Sequence, residues 1–559
     1  MALDVKGQNN PWPVSQIRQA TKGNETNPLL SGAQPGVQAD SFLLKRLIEA
    51  DTKTPLLFGA RANSTLYKKE GFATKYPNIW VLDGRRTPFG DAQGLGKLKN
   101  LTAEDLGVIA SKGALQAAGI APEDADASEF GTVITSSKSG PYNARDIGLR
   151  TGLPYGSIGN NYDKLCGSGM YSLDVVAGKL DRIQNKGTDA LFLAGGTESM
   201  SRAPFSSYEY MTQLKEAGNK RQNAKNPVQK LAATVSALRI ARALRKNANI
   251  DLLQTEKKKG PKSKSEFMNT LRASLTHTLV NMGMLDTAEN LRELFRFADD
   301  ELDAFSLLSQ HRAGTAIAQD KYADEIVSAT DADGKLLLEG DEGVRGLSAK
   351  IESLLKLRKR PLGEFHNHPE KARHSAANAS RIVDGAAAMV MTNEQTAARW
   401  SERTGLKPLG KIIASAEVGV DPNIMGYGAV QAAKTVLKKS GLSFKDIDLI
   451  EINEAFASVA LAAMKDWEAA YKVPLKEIMQ KTNVNGGAIA IGHPLAATGS
   501  RLVITMLKEL QRQNKRYGLV TACIGGGQGI AMIVENPFAE GGAGLNPPRK
   551  PAARKPKAQ

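Results

Sequence analysis

Cysteine, histidine and long apolar runs are scarce in this chain. Its 559 residues include two cysteines and six histidines. Two cysteines cannot build a disulfide framework, so we expect both to be reduced thiols in a cytosol-like compartment. No run of about 18 apolar residues occurs, so the sequence predicts no membrane-spanning segment. With 41% hydrophobic and 24% charged residues, the chain is nevertheless long enough to bury a large core.

The two ends of the sequence carry no recognisable address. Met1 is followed by a polar stretch with an early Asp4, without the basic start and apolar segment of a secretory signal or the arginine-rich pattern of a transit peptide. The last residues, Lys557-Ala-Gln559, differ from a peroxisomal signal. We therefore expect a cytoplasmic protein, with peripheral membrane contact left open, and with mitochondrial or peroxisomal location left open for a eukaryotic source.

Positive charge is in excess. The formal net charge of +16 favours anionic partners such as phosphorylated cofactors, nucleic acid or an acidic lipid surface. Charge alone does not choose among them. Because no nucleic-acid recognition motif accompanies the basic stretches, we predict no nucleic-acid binding.

Strand-like and helix-like segments alternate in two parts of the chain. Ile79–Leu82 and Phe130–Thr135 have strand character, and helical spacing runs from Leu106 to Ala118. This alternation predicts an α/β fold with a mostly parallel sheet and helices on its faces. The predicted parts are an extension at 1–75, an α/β half at 76–198 completed by 382–402, a long irregular region at 199–381, a second α/β half at 403–536 and a disordered basic tail at 537–559.

An internal repeat links the two α/β halves. Residues 110–126 align without a gap with residues 432–448, and each segment combines a helix, a glycine and an acidic pair before a strand. The sharper interpretation is a duplicated α/β unit with an active site between the halves. The alternative is that any two helix–strand units look alike.

A basic segment at 228–264 lies inside the irregular region. Val228, Leu231, Val235 and Leu238 fall on one helical face among lysines and arginines, and a lysine-rich run follows at 257–264. Three interpretations stay open. The segment is a solvated charged face, a clamp for cofactor phosphates, or a basic amphipathic surface for membrane lipid or a protein partner.

The two cysteines and one histidine lie in glycine-rich motifs. Cys166 precedes a helical pattern, and at a helix amino terminus the free amides favour a thiolate. His493 stands between a glycine and a proline, which suits a base in a fixed turn. Cys523 follows an apolar strand and precedes Gly525, so amides there could face an oxyanion. The alternatives are a buried apolar cysteine and a structural histidine.

Asn453 is a further candidate site residue, and the motifs contain no metal-ligand spacing. Asn453 follows the strand Leu449–Ile452, where its side chain could hold a water or a carbonyl, or simply cap a turn. The two cysteines and His493 are not spaced as a local ligand cluster, so we predict no metal site.

Four segments together resemble the active-site motifs of the thiolase family. They are Leu165-Cys-Gly-Ser-Gly169, Asn453-Glu-Ala-Phe456, Asn485-Gly-Gly-Ala-Ile-Ala-Ile-Gly-His493-Pro-Leu-Ala-Ala-Thr-Gly499 and Cys523-Ile-Gly-Gly-Gly-Gln-Gly529. Further family-like segments occur in the right order at 84–89, 195–200, 282–290 and 378–386. The similarity covers about residues 78 to 536.

The resemblance implies an acetyl-CoA acyltransferase of fatty acid metabolism and β-oxidation. Its fold would be two similar halves forming a five-layered α-β-α-β-α core, with residues 199–381 as a loop domain over the CoA site. Coenzyme A and acyl-CoA would be substrates, without a permanently bound cofactor. By the same analogy we expect a homodimer or homotetramer.

The resemblance also implies residue roles. Cys166 would carry the acyl group, His493 would activate Cys166, and Cys523 would exchange a proton with the acetyl-CoA methyl group. Asn453 would position a water that forms one oxyanion hole with His493, and the amides of Cys166 and Gly525 would form the other. Ser380 would lie along the pantetheine arm, and Met282 belongs to the segment lining that pocket.

The sequence departs from the family pattern in several places. The insertion before Met282 resembles the thiolase subunits of trifunctional β-oxidation complexes, which are often membrane-associated, but those subunits usually have histidine where this chain has Asn453. The family's usual glycine is replaced by Arg381. A ketoacyl synthase would be expected to carry histidine instead of Cys523. The remaining alternative is a lipid-binding or acyl-CoA-binding protein on the thiolase scaffold, or a non-catalytic subunit of a β-oxidation complex.

Overall fold

The structure is a computed structural model that describes most of the chain from residue 71 to residue 545. The described residues are 71–92, 96–183, 189–206, 217, 219–224, 226–248, 268–269, 271, 274–277, 280, 282–346, 349, 356–357 and 372–545. The predicted extension up to residue 70, the lysine-rich run at 257–264 and the basic tail from 546 onward lie outside the described residues. Among the described residues, no helix has the length and apolar character needed to cross a membrane.

Helices and strands alternate through both halves. The helices, numbered α1 to α12, are Ala103–Ala117, Asn143–Thr151, Ser168–Ile183, Pro227–Ala248, Met284–Phe295, Asp299–Ala318, Glu394–Thr404, Gly428–Ser440, Ala457–Tyr471, Leu475–Lys481, Ala488–Ile491 and Leu495–Arg512. The strands, numbered β1 to β16, are Phe72–Arg86, Gly90–Asp91, Ala127–Gly131, Ile158–Tyr162, Leu191–Glu198, Phe205–Ser206, Met268–Asn269, Thr276–His277, Met282–Gly283, Ala329–Thr330, Leu336–Leu338, Val383–Asn393, Gly410–Gly419, Leu449–Ile452, Tyr517–Ile524 and Gln528–Glu535.

The repeated segment has the same local structure in both halves. Helices α1 and α8 are each followed by a glycine with positive φ, Gly119 at +60° and Gly441 at +81°. A short 3-10 turn and a strand come next, β3 in the first half and β14 in the second. A left-handed residue ends a helix at low cost only when it is glycine. The matching glycines therefore explain why the repeat was visible in the sequence.

The main sheet is mixed rather than mostly parallel. Its strand order is β14-β15-β16-β13-β1-β12-β5-β3-β4, and β2 pairs with β12. Only β14–β15, β3–β4 and β3–β5 are parallel pairs among the described strands. The expectation of a mostly parallel sheet was wrong because β16 returns directly from β15 through a tight turn, while β12 arrives from residues 199–381 and runs antiparallel to β5.

Five layers stack around two central helices. The side chains of α3 and α12 pack together between the two halves of the sheet, in one cluster with Met389 of β12 and Met532 of β16. Helix α1 covers the outer face of the first half, and helices α8 and α9 cover the outer face of the second. The predicted duplicated α/β fold with an α-β-α-β-α core is confirmed.

The region at 199–381 is more ordered than the sequence analysis expected. It contains α5 and the 20-residue α6, which are largely buried, and the longer α4. The apolar residues Val228, Leu231, Val235 and Leu238 do fall on a helix, but they are 39–76% exposed. The description of this region as irregular was wrong, because α6 is buried on nearly all sides and so lacks the polar face that reveals a helix in a sequence.

Candidate active site

Cys166 lies in a tight turn at the start of a central helix. It is the middle residue of the 3-10 turn Leu165–Gly167, and α3 follows directly. Leu165 has a φ of +48°, a conformation rare for a branched side chain. The Ser168 hydroxyl accepts a hydrogen bond from the Lys164 amide and donates one to the Leu165 carbonyl. The turn is therefore held by its own side chains, and it presents the thiol at the helix terminus.

Burial disfavours the ionised form of the Cys166 thiol. Burial raises the pKa of Cys166 to about 12, although the amides of Gly525 and of Cys166 itself oppose that rise. Desolvation of the charged form thus outweighs the stabilisation that we expected from a helix terminus. Attack by this sulfur therefore requires a base that removes its proton as the new bond forms.

His493 is a buried, neutral imidazole. Its Nδ1 lies 2.6 Å from the Thr498 hydroxyl, and its Nε2 lies 3.4 Å from the Asn453 amide nitrogen. Since an amide NH₂ can only donate, Nε2 is the acceptor and Nδ1 carries the proton. Burial and the charge of Arg501 lower the pKa of His493 to about 3. The ring therefore has a free base nitrogen at neutral pH.

Cys523 and the glycine turn after it face Cys166. Cys523 is 1% exposed near the end of β15, and burial and the nearby Cys166 raise its pKa. The turn between β15 and β16 needs positive φ at both Gly526 and Gly527, each +83°. This turn places the Gly525 amide where it lowers the pKa of the Cys166 thiol, against the larger effect of burial. The end of β15 therefore positions both the second thiol, Cys523, and a backbone amide, Gly525, that can stabilise an oxyanion.

Asn453 is fully buried beside His493. Its backbone amide donates to the Thr521 carbonyl of β15, which fixes the residue at the end of β14. The side-chain oxygen of Asn453 is buried and has no partner in the part of the chain that the structure describes. A buried acceptor of this kind is costly unless a water or ligand donates to it. The Asn453 side-chain oxygen can therefore accept a hydrogen bond from the predicted water.

A partly open cavity borders His493. Besides His493, Ser380 and Arg381, its lining residues are apolar: Met200, Leu275, Met284, Leu285, Ala379, Ile382, Phe456 and Leu495. Cys166 packs against a hydrophobic cluster that includes Met200 and Leu495 of this lining. Of the predicted substrate-contacting residues, Ser380 lines the cavity. Met282 does not, because it lies in β9 and its sulfur accepts from Asn290; Met284 takes that place.

Two residues of the site were missed in the sequence. Thr498 orients the His493 ring, and its position five residues after the histidine in the same motif was the available signal. Glu198, at the end of β5, accepts from the amides of Val133, Ile134 and Ala496. Burial raises the pKa of Glu198 to about 8. Glu198 therefore ties the strand ends to the first turn of α12, and no sequence signal announced it.

The arrangement suits acyl transfer through sulfur. It combines a nucleophile, a neutral base, a second buried thiol and backbone amides directed at the first thiol. Within the described residues, no three histidine, cysteine or acidic side chains are grouped as metal ligands would be.

Comparison with known proteins gives matches over most of the chain. The description "Thiolase, N-terminal domain" matches residues 79–395, and "Thiolase, C-terminal domain" matches residues 406–536. The chain is 35% identical to the mitochondrial 3-ketoacyl-CoA thiolase of Bos taurus over 82% of this chain and 98% of the relative. It is 33% identical to the acetyl-CoA acetyltransferase of Paracoccus denitrificans over 82% and 99%. A crystal structure of human mitochondrial 3-ketoacyl-CoA thiolase in complex with CoA superposes with a TM-score of 0.65, at 33% identity, over 84% of this chain and 100% of that chain.

Proposed function

Because this chain belongs to the thiolase family, we propose that it is an acyltransferase that cleaves 3-ketoacyl-CoA with CoA, giving acetyl-CoA and a shortened acyl-CoA, or runs the reverse Claisen condensation of acetyl-CoA. Relatives with both names, 3-ketoacyl-CoA thiolase and acetyl-CoA acetyltransferase, support this activity. CoA is present in the human relative's structure, which supports CoA and acyl-CoA as ligands of this site.

The first half-reaction transfers the acyl group to Cys166. His493 Nε2 takes the Cys166 proton while the sulfur forms a bond to the 3-keto carbon. The C2–C3 bond then breaks, and its electron pair leaves as the acetyl-CoA enolate. Cys523 gives its proton to that enolate, which releases acetyl-CoA. Both thiols start protonated, because burial raises the pKa of each.

The second half-reaction releases the product. The CoA thiol loses its proton to the Cys523 thiolate and attacks the carbonyl of acyl-Cys166. The Cys166 sulfur then leaves and recovers a proton from His493. The Gly525 amide, which lowers the pKa of this thiol, can donate to the oxygen that becomes negative at each attack, together with the Cys166 amide. A water between Asn453 and His493 would serve the enolate oxygen.

The observation that carries this proposal is the close approach of the two cysteine motifs, since a Cβ added to Gly167, next to Cys166, would lie 2.4 Å from Ile524 Cδ1, next to Cys523. The test is CoA-dependent cleavage of acetoacetyl-CoA and of a long-chain 3-ketoacyl-CoA by the wild type, Cys166→Ala and Cys523→Ala. We expect cleavage by the wild type and its loss in both variants. Intact mass should detect one acyl group on the Cys523→Ala protein and none on Cys166→Ala.

The alternative, an acyl-CoA-binding protein without chemistry, predicts a different result. Well-folded wild type would then bind acyl-CoA without cleaving either substrate and without acquiring an acyl group. That outcome would also fit a non-catalytic subunit of a β-oxidation complex.

Assembly into a homodimer or homotetramer is part of the proposal. Strand β4 stands at one end of the sheet, and its residue Ile158 is 55% exposed. An exposed sheet edge with an apolar side chain can pair with a second copy of the chain. Light scattering after size exclusion should give at least a dimer for the wild type, and Ile158→Lys should shift it toward the monomer. An unchanged assembly would remove β4 from the interface.

We also propose that residues 228–264 contact a lipid surface or a β-oxidation partner. The sequence of α4 has five basic and no acidic residues, and Leu231 and Leu238 are 65% and 59% exposed. Cosedimentation with anionic but not zwitterionic vesicles, weakened by Leu231→Ser with Leu238→Ser, would support the lipid surface. A cytoplasmic location remains our prediction, whereas the mammalian relatives are mitochondrial by name.

A further inference from the structure

One charged residue lines the cavity beside the base. Arg381 borders the same space as His493 and Ser380, among side chains that are otherwise apolar. The Arg381 carbonyl also accepts a hydrogen bond of 3.0 Å from the His493 amide. The residue that fixes the backbone of the base therefore also contributes to the wall of the substrate space.

The Arg381 side chain is held in place from two sides. Its guanidinium forms an ion pair with Asp91 of β2. Asp91 is itself fixed, because its amide donates to Glu342 and β2 pairs with the start of β12. A Cβ added to Gly343 would lie 2.7 Å from Arg381 Cδ and Nε, so the arginine stem packs on this glycine. The stem and the head group are thus both anchored.

An anchored guanidinium limits what the cavity can hold. Arg381 Nε is buried and lacks a partner within the described part of the chain. A methylene chain passing over it would gain no apolar burial and would remove water from the charged group. Arg381 borders this space next to Ser380. A glycine, the usual residue of the thiolase motif at this position, would leave this space open.

We propose that Arg381, anchored by Asp91, is a specificity-determining residue that restricts the enzyme to short 3-ketoacyl-CoA substrates. This inference rests on the thiolase activity proposed above. It predicts that the wild type has a kcat/KM for acetoacetyl-CoA at least about tenfold higher than for 3-ketohexadecanoyl-CoA.

The test compares both substrates in the wild type, Arg381→Gly and Arg381→Lys. Arg381→Gly should raise the ratio of long-chain to short-chain kcat/KM by about tenfold or more, because it removes both bulk and charge. Arg381→Lys keeps a long cation that can pair with Asp91, so the wild-type ratio should persist. An unchanged ratio in Arg381→Gly, with acetoacetyl-CoA still cleaved, would overturn the proposal. So would a wild-type preference for a 3-ketoacyl-CoA with a terminal carboxylate that Arg381→Gly abolishes, since Arg381 would then recognise charge.

A binding measurement covers the case in which Arg381→Gly is inactive. In the Cys166→Ala background, calorimetry would compare palmitoyl-CoA with acetyl-CoA, with and without Arg381→Gly. We expect the glycine to tighten palmitoyl-CoA binding about tenfold relative to acetyl-CoA. Equal changes for the two ligands would contradict the proposal. Failure of the wild type to cleave either substrate would instead contradict the proposed function itself.

Discussion

At the scale of single residues, the imidazole of His493 is held between Thr498 on one nitrogen and Asn453 on the other. Neither partner is a carboxylate, so orientation and tautomer depend on neutral hydrogen bonds. Thr498 acts through His493 and is a positioning residue, whereas Asn453 also offers a buried oxygen to the reaction space.

Thr498→Val should lower kcat for acetoacetyl-CoA cleavage by about 10- to 100-fold, because Nδ1 loses its acceptor and the ring loses its fixed tautomer. KM should change little. Thr498→Ser keeps the hydroxyl and should restore most of kcat. Steady-state kinetics of the three proteins check this, and equal loss in the serine variant would assign Thr498 a packing role instead.

The low pKa of His493 should also appear in stability. In the unfolded chain this histidine takes up a proton near pH 6.5, whereas the pKa of about 3 keeps it neutral in the folded protein at pH 5. The unfolded state then binds more protons, so stability falls as the pH falls. Between pH 7 and 5 the wild type should lose about 2 kcal/mol of unfolding free energy relative to His493→Asn. Urea titrations of both proteins at the two pH values measure this difference, and parallel losses would refute it.

The sequence identified candidate catalytic residues where they lay in a distinctive motif. Cys166, His493 and Cys523 stood out because rare side chains were embedded in glycine. The protonation states of these residues could not be predicted from the sequence, since the pKa of Cys166 depends on burial by residues distant in sequence. Met282 was named instead of Met284 because spacing within a short segment does not reveal which of two methionines faces the cavity.

At the scale of elements, the two central helices approach each other backbone to backbone. A Cβ on Gly169 of α3 would lie 2.3 Å from the Ala496 carbonyl, and one on Gly499 of α12 would lie 2.6 Å from the Met170 nitrogen. These glycines allow the start of α3, just after Cys166, to contact the start of α12, just after His493. Close packing of this kind leaves no space for a methyl group.

Gly499→Ala should therefore destabilise the protein by about 2 kcal/mol and lower activity by displacing α12 from α3. Gly178→Ala is the matched control in α3, because its added Cβ would meet only the Tyr76 hydroxyl at 3.9 Å. That control should be neutral or up to about 1 kcal/mol stabilising, since alanine is the better helix former. Thermal unfolding and acetoacetyl-CoA cleavage of both variants test the pair; similar stability losses would show that the contact is not special.

Element positions followed from sequence better than strand directions did. The helical spacing from Leu106 to Ala118 corresponds to α1, where Thr102 and Asp105 form a capping box. The direction of β12 could not be predicted, since it depends on how the chain returns from residues 199–381. Helices α5 and α6 were missed because α6 is buried on nearly all sides and so lacks a polar face.

At the scale of the whole molecule, one strand joins the two halves. Strand β1 pairs with β12 of the first half and with β13 of the second. The halves also share the cluster that α3 and α12 fill. A common sheet and a common core favour a single cooperative unit.

A substitution in one half should therefore weaken both. Phe130→Ala removes a fully buried ring from the first half and should cost about 3 kcal/mol. Hydrogen exchange measured by mass spectrometry should then lose equal protection in β3 and in β14. Loss confined to β3 and its neighbours would mean that the halves open independently.

The two halves of the molecule repeat the same order of elements around the central helices α3 and α12. In the order of each half, β1, α1, β3, α3, β5 and β12 correspond to β13, α8, β14, α12, β15 and β16. Cys166 precedes α3 and His493 precedes α12, so nucleophile and base occupy equivalent positions in the two copies. A duplication of one ancestral half would account for the two matching helix starts. Two equivalent backbone positions thus carry the nucleophile in one half and the base in the other.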